Sequence, residues 1–428
     1  MAMAAEPLGA EAGDEGVGAG APVVVLDPAF KADSQARFAR LRELGPVHRT
    51  LGSSGVEFWM VVSYDVAREA LTHPALLKDP TPSQQALEAA GYTDNQAGVG
   101  IGGHMLESDP PAHTRLRRIV TSAFTPRRTQ ELAPRVQQIA DELIDAMAPL
   151  GRADLVDAYA GRLPLIVIAE LLGIPEPLRA PFRAATTVAL DYANPDQPQG
   201  MADLHRLLAD LIAEKREHPG EDLLSALITT HDEDGDRLSD AELVGTALLL
   251  VVAGHETTVH LLGNAVIALL RDPDQARLLR ENPDLLPGAV EEFLRYDPPV
   301  EVSTLRYAAE DLELGGQKIA RGEVVAVALG SASRDAPLDS DPAALDIVRA
   351  SARHIAFGHG IHHCLGAPLA RLEAATALGT LLTRIPDLEA DEPLDQIRWI
   401  PGGMMHGPVG LRIRFAPQEP TGSSGTRG

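Results

Sequence analysis

Phe357-Gly358-His359-Gly360-Ile361-His362-His363-Cys364-Leu365-Gly366 is the stretch that decides how this chain is read, and it holds the only cysteine of 428 residues. Gly358 and Gly360 before the cysteine and Gly366 after it permit a tight turn with backbone close to the sulfur. Pro368 and the periodic residues beyond it predict a helix over about 368–384, so Cys364 stands just ahead of a helix start. Free N–H groups at such an end, together with the helix potential, lower a thiol pKa and soften the donor strength of a metal-bound sulfur. Two plainer readings stand beside this one. A lone cysteine is often inert core, and His359, His362 and His363 offer zinc ligands. Adjacent His363 and Cys364 in a glycine-tight turn leave little freedom for a tetrahedral cage.

Outward from the turn the chain reads as mainly α with small β-sheets. Ser239 and Glu242 make a capping-box pattern, and nothing breaks the helix they start until Asp272-Pro273. Such a helix is about 30 residues and roughly 45 Å long. Its almost wholly apolar middle predicts a path through the core. Further amphipathic helices are expected over 135–147, 163–172, 201–216, 274–281 and 287–296, with Pro134 opening the first. Strands are expected at 57–62, 302–308, 312–314, 323–329 and 411–415. Residues 80–104 read as a long surface loop, a length more often functional than idle. Regular strand-helix alternation and internal repeats are both missing from the pattern.

Composition narrows the class. Sixty-one acidic against 37 basic residues give a formal charge of -24, which argues against a nucleic-acid surface. A local basic group, Arg115, Arg117, Arg118, Arg127 and Arg128, survives within it and has a plain reading as a solvated helix face. One cysteine excludes an intramolecular disulfide framework. The apolar run 247–253 is cut by Gly254, His255 and Glu256, which argues against a membrane span, and no export signal is read at the N-terminus. The expectation is a cytoplasmic monomer. Its single domain would cover 23–417, between an Ala/Gly/Glu-rich tail (1–22) and a linker-like tail (418–428).

Two polar sets call for weighing. Glu292 and Arg295 share a helix face, as do His113 and Arg117, and alone each pair reads as ordinary surface chemistry. Within the long helix, Ala253-Gly254-His255-Glu256-Thr257-Thr258 places polar groups where burial is costly unless they are paired. Thr257 has a bland use, bonding back to a carbonyl one turn earlier. Gly254 removes bulk where a flat cofactor or diatomic ligand would approach.

The segment 357–366 matches at every fixed position the haem-binding signature Phe-Gly-x-Gly-x-His-x-Cys-x-Gly, and the sequence thereby resembles the cytochrome P450 superfamily. The continuation Ala367-Pro368-Leu369-Ala370-Arg371-Leu372-Glu373 is similar to its soluble bacterial members, and the likeness runs over roughly residues 25–416. The resemblance implies a triangular helical prism around haem b (iron protoporphyrin IX). It implies Cys364 as the axial metal ligand, Phe357 and Gly366 beside the sulfur, and His113, Arg117, Arg306 and His362 on the propionates. Glu292 and Arg295 become the family's structural Glu-x-x-Arg pair. Arg334 falls in its Asn-Arg-Asp segment, with Ser333 departing from the usual Asn. Glu256 and Thr257 become the catalytic acid and threonine that manage protons and O2, while His255 is atypical and without an assigned role.

The same likeness implies a hydrophobic pocket drawn from loop 85–104, the segment near 186–193 and the residues Leu249, Val252, Ala253, Val302, Met404 and Met405. A Gly-rich stretch, 97–103, would serve as a mobile lid. Electrons would come from NAD(P)H through a separate ferredoxin and ferredoxin reductase, with Arg115 and Arg118 as docking charges. The wording of the distal helix and of 298–316 looks like actinobacterial macrolide- and polyketide-tailoring enzymes that hydroxylate or epoxidise. Steroid or terpenoid hydroxylation, peroxygenase chemistry and a non-catalytic haem-thiolate sensor are the alternatives.

Overall fold

A computed structural model describes residues 23–52, 56–89, 103–190, 195–230, 236–337 and 341–419. Both tails' outer residues, most of the loop 85–104 including 97–102 of its glycine stretch, and 191–193 of the expected pocket segment lie outside the described residues.

The long helix forms as Asp240–Arg271. Ser239 Oγ accepts from the Glu242 N–H while Glu242 Oε2 accepts from the Ser239 N–H, so the reciprocal cap is complete. The helix stops where Asp272-Pro273 begins the next one, Pro273–Glu281. It packs against Arg162–Leu171, Gln197–Glu217 and Ala367–Arg384, the last being the helix that follows the cysteine turn. By length and composition Asp240–Arg271 is apolar enough to cross a membrane, contrary to the sequence reading of interrupted apolar runs. Most of its apolar window is buried against its own neighbours, as befits a core helix.

Helices Ala133–Met147, Arg162–Leu171, Gln197–Glu217, Leu286–Tyr296 and Ala367–Arg384 lie where periodicity places them. Several helices were not anticipated, among them Ser34–Leu44 and Leu223–Thr229. Glu176–Leu190 runs for 15 residues through a stretch that reads as loop because of Pro177 and Pro181. Pro177 sits in the first turn, where a missing N–H costs nothing, and burial of Phe182, Thr186 and Ala189 holds the rest. Arg179 pairs across to Glu170 at 3.6 Å.

The main sheet has six short strands in the order Val24–Val25, Val47–Leu51, Glu57–Val61, Val324–Val327, Arg306–Ala308 and Leu76–Leu77. A three-stranded sheet joins Glu389–Ala390, Arg412–Arg414 and Arg152–Asp154, and Leu312–Leu314 pairs with Gln317–Ile319 in a hairpin. Two expected strands are shorter than read. Only Arg306–Ala308 of 302–308 joins the ladder, and after Val327 the chain turns into the short helix Leu329–Asp335. Residues 299–305 instead run extended, bonding irregularly to 404 and 327.

Burial along the long helix is the feature that positions a site. Leu243–Leu249 and Thr258–Leu269 are buried, yet Ala253 between them is exposed and Gly254, His255, Glu256 and Thr257 are half-buried. A helix enclosed at both ends and open in its middle borders an interior space.

Candidate active site

The cysteine turn folds as its glycines require. Gly358 and Gly360 both take φ +74°, a region that side chains disfavour. The Cys364 N–H donates to the Phe357 carbonyl at 2.8 Å, and the His363 N–H to Gly360 at 3.1 Å. The turn thus closes on itself and leads into Ala367–Arg384. The sulfur retains accessible surface although it is deeply set, the mark of a group lining a recess. Burial raises its pKa, opposed by the Gly366 N–H, Arg117, the Ala367 N–H and Arg371. The helix-start N–H groups expected beside the sulfur are therefore in place. Arg371 lies over the Phe357 ring at 4.6 Å and grips Glu291 with two hydrogen bonds of 2.6 and 2.8 Å. Burial works against ionisation of Glu291, yet Arg371 and His354 hold its carboxyl at about 2.

Beside the turn five basic side chains converge. His113 and His362 stand 4.3 Å apart, ring to ring. Arg117, one turn beyond His113 in the helix Ala112–Ala123, donates to the His363 carbonyl at 2.6 Å. Arg306 is buried and donates to the Leu76 carbonyl at 3.1 Å. The fifth member, Lys78, carries no sequence motif and was missed. Its buried ammonium donates to the Thr304 carbonyl (3.1 Å), the Leu305 carbonyl (3.0 Å) and Thr304 Oγ1. Burial, and then His113, Lys78, Arg306 and Arg117 in turn, push His362 down to about 3. Burial lowers Arg306 to about 10, and His113 falls through burial and the Arg117 charge. Asp109 is the nearby acid, but its oxygens are engaged by the Lys78 and Asp79 N–H groups.

These groups form a desolvated basic patch in which several nitrogens have no protein partner. Both nitrogens of His113, Nε2 of His362 and Nε of Arg306 are buried without a hydrogen-bond partner. Orphaned donors of this kind are costly unless a ligand satisfies them. A haem fits on three counts: an exposed thiol for the metal, basic nitrogens without a protein partner for two propionates, and an open stretch of the long helix. Among the described residues no three His, Cys, Asp or Glu side chains converge as a metal cage, so the zinc alternative has no geometry behind it.

On the long helix, burial raises Glu256 to about 7. Thr257 Oγ1 donates back to the Ala253 carbonyl at 2.7 Å, the local bond weighed from sequence. His255 Nε2 meets the Gly161 carbonyl at 3.0 Å, which ties the helix to a neighbouring turn and gives this residue a structural use. The expectation for Gly254 needs correcting. A Cβ there would meet Ile168 at 3.5 Å, an ordinary contact on the Arg162–Leu171 side, so the glycine is not clearing room for a cofactor.

Glu292 and Arg295 are fully buried and joined by two bonds of 2.7 and 2.8 Å. Arg349 adds to Glu292 at 3.2 Å, and Arg295 also donates to the Pro342 and Ala344 carbonyls. The pair therefore pins 341–349, the segment leading to the cysteine turn. Arg334 donates to the Tyr296 carbonyl at 2.7 Å and lies over its ring at 4.2 Å. Of the pocket candidates, Leu249 sits in the main core and Val302 packs with Phe30 and Phe38, whereas Ala253 and Met404 are exposed and Met405 is half-buried. Val300 and Met405 bridge antiparallel, so these two expected walls do meet. Arg115, one of the expected docking charges, already has acidic partners within the chain. It is half-buried and pairs with Asp236 at 3.3 Å and with Glu242 at the long helix's start. A groove of about 780 Å³ between Glu176–Leu190 and Gln197–Glu217 is lined by Val188 of the expected segment 186–193 but by none of the other candidate residues.

Comparison with known proteins agrees with this geometry. The cytochrome P450 family model matches residues 199–386. The chain is 48% identical over 407 residues to the cytochrome P450 monooxygenase PikC of Streptomyces venezuelae, covering 94% of this chain and 96% of PikC. It is 39% identical over 394 residues to the 6-deoxyerythronolide B hydroxylase of Saccharopolyspora erythraea, covering 90% and 97%. Among solved structures, the Bacillus subtilis 168 bacillaene polyketide synthase cytochrome P450 PksS superposes with TM-score 0.83 at 36% identity, covering 91% of this chain and 98% of that one. Fold and site together define a haem-thiolate monooxygenase. The chain belongs to the cytochrome P450 family.

Proposed function

We propose that this chain, as a single domain over 23–417, hydroxylates or epoxidises a hydrophobic macrolide or polyketide. It would work in the cytoplasm as a monomer, with electrons passed from NAD(P)H by a ferredoxin reductase and a ferredoxin. The observation that carries the reading is an exposed Cys364 in a glycine-shaped turn beside a cluster of basic nitrogens without protein partners, in a chain whose long core helix is open in its middle. The polyketide class is supported by the apolar character of the candidate walls and by a relative of 98% coverage named for a polyketide synthase.

Cys364 would ligate haem iron, with Phe357 and Gly366 beside the sulfur and His113, Arg117, Arg306, His362 and Lys78 holding the propionates. When bound, the haem supplies reductive activation of O2 and insertion of one oxygen atom into the substrate. The protein's part is electrostatic and spatial. N–H groups at Gly366 and Ala367 moderate the charge on the sulfur, and Arg371 over Phe357 fixes the ring beside it. Glu256, held near neutrality by burial, is suited to accept and pass a proton at its carboxyl oxygens at working pH. The Thr257 hydroxyl spends its hydrogen on the Ala253 carbonyl, leaving its lone pairs as acceptors facing the open space. Ala253 and Met405 would meet substrate.

The test is turnover of a macrolactone such as 6-deoxyerythronolide B, with testosterone as a second arm, using ferredoxin, reductase, NADPH and isotopically labelled O2. A labelled monooxygenated macrolactone is expected. Labelled steroid with untouched macrolactone would overturn the substrate class, and no label in either product would overturn catalysis on both classes.

A further inference from the structure

The segment 297–306 spans the site and is held from outside it. At one end Asn264, two turns beyond Thr257 on the long helix, donates to the Asp297 and His406 carbonyls at 3.1 Å each. At the other end Arg306 belongs to the cationic patch. The chain between therefore runs from the long helix to that patch, linking the two. It is paired there with a second turn: the Glu301 and Val302 N–H groups donate to the Met404 carbonyl at 2.9 and 3.2 Å, and the His406 N–H donates to Pro299 at 2.8 Å.

What fixes these two turns is a buried charge from the N-terminal helix Pro28–Ala32. Lys31 is 3% exposed and Glu301 1% exposed, with Nζ and Oε2 2.5 Å apart. The same ammonium donates to the Met405 carbonyl at 3.0 Å and the Gly403 carbonyl at 3.3 Å, so one side chain grips both turns. The other Glu301 oxygen lies 3.8 Å from His406 Nδ1, and His406 stacks on Trp399 and reaches Asp297 at 3.4 Å. At position 407 a Cβ would fall 2.3 Å from His260 Nδ1, so only glycine lets this turn approach the long helix. Burying a lysine and a glutamate is expensive, and a network with several fixed acceptors is justified by the geometry it imposes more than by net stability.

We propose that Lys31 and Glu301 are positioning residues for substrate: a buried ionic strut that sets the spacing of the turns 299–305 and 403–406 and so the width of the pocket. This rests on the site assignment above, and the test separates the two. In the unaltered holoenzyme, hydrogen exchange should find the Glu301, Val302 and His406 amides protected at least a hundredfold over free chain. Exchange at free-chain rates would overturn the strut. The double variant Lys31→Met with Glu301→Gln removes both charges while keeping shape, which avoids stranding one of them. It should keep the reduced CO spectrum of the parent. Those three amides should exchange at least tenfold faster. Affinity for imidazole should stay within about twofold of the parent, while affinity for the bulky azole clotrimazole changes at least fivefold. Unchanged exchange and an unchanged clotrimazole-to-imidazole ratio would overturn the proposal, even with a normal CO spectrum. Loss of the CO spectrum in the parent would instead overturn the haem site. Should the double variant not fold, the exchange measurement on the unaltered protein still decides.

Discussion

The Glu292–Arg295 brace and the His113–His362 patch are both built from buried polar side chains, yet they are opposites. In the brace every charge has a partner: Glu292 accepts from Arg295, Arg349 and the Asp346 N–H, and Arg295 donates to two carbonyls besides. In the patch four ring or guanidinium nitrogens have none, and the cations repel one another. Native interiors seldom tolerate the second arrangement for its own sake. The difference separates residues that make the fold from residues that wait for a ligand, and it does so without any appeal to motif.

The largest effect expected from this contrast is in the brace. Arg295→Leu removes two bonds from the buried Glu292 carboxylate, leaving it Arg349 and the Asp346 N–H, and should cost roughly 3–5 kcal/mol in chemical unfolding, with little folded protein recovered. A variant of near-parental stability would show that the brace is not structural. In the patch the sign should differ. Arg306→Leu removes an unpaired buried cation, so the haem-free protein should unfold at the same temperature or higher, while haem dissociates at least about tenfold more readily, about 1.4 kcal/mol. Equal haem retention would erase the distinction drawn here.

Glu256 sharpens the comparison because its half-buried carboxyl is shifted by burial alone. Its folded pKa of about 7 lies above the ordinary carboxylate value. The folded state therefore holds a proton that the unfolded chain releases, and stability from this group falls as pH rises from about 4.5 to 7. Glu256→Gln should flatten that slope, giving a gain on the order of 1–2 kcal/mol at pH 8 relative to pH 4.5 after allowance for partial solvation. Parallel stability curves for variant and parent would contradict it. The smallest effect belongs to Arg115, whose charge is already met by Asp236 and Glu242. Arg115→Ala should cost at most about 1 kcal/mol and leave the rate of reduction by ferredoxin unchanged. A large fall in that rate would uphold the docking role expected of it.

Local signals made much of this legible. The capping box at Ser239, the proline stops and the glycine turn at Cys364 act over a few residues, and the helices and the turn formed as those signals require. What the sequence did not disclose depends on chain separation. Lys78 bonds to Thr304 and Lys31 to Glu301, partners 226 and 270 residues away, and neither lysine stands in any pattern. Helix Glu176–Leu190 was hidden by its prolines, whose cost depends on position within a helix whose start could not be read. The open middle of the long helix is likewise invisible in an apolar run, since residues facing a cavity and residues facing a core look alike. Gly254, suggestive in sequence, proved to face Ile168.

The central claim is that the turn at 357–366 presents Cys364 as a metal-binding thiolate. It is tested most directly by the absorption spectrum of the reduced, CO-bound protein, parent against Cys364→Ala, each expressed with iron and a haem precursor. The parent should show the strongly red-shifted Soret band of a thiolate-ligated haem, and the variant should lose that band while its helical circular dichroism persists. A parent without haem absorbance, or a variant that keeps the red-shifted band, would contradict the account.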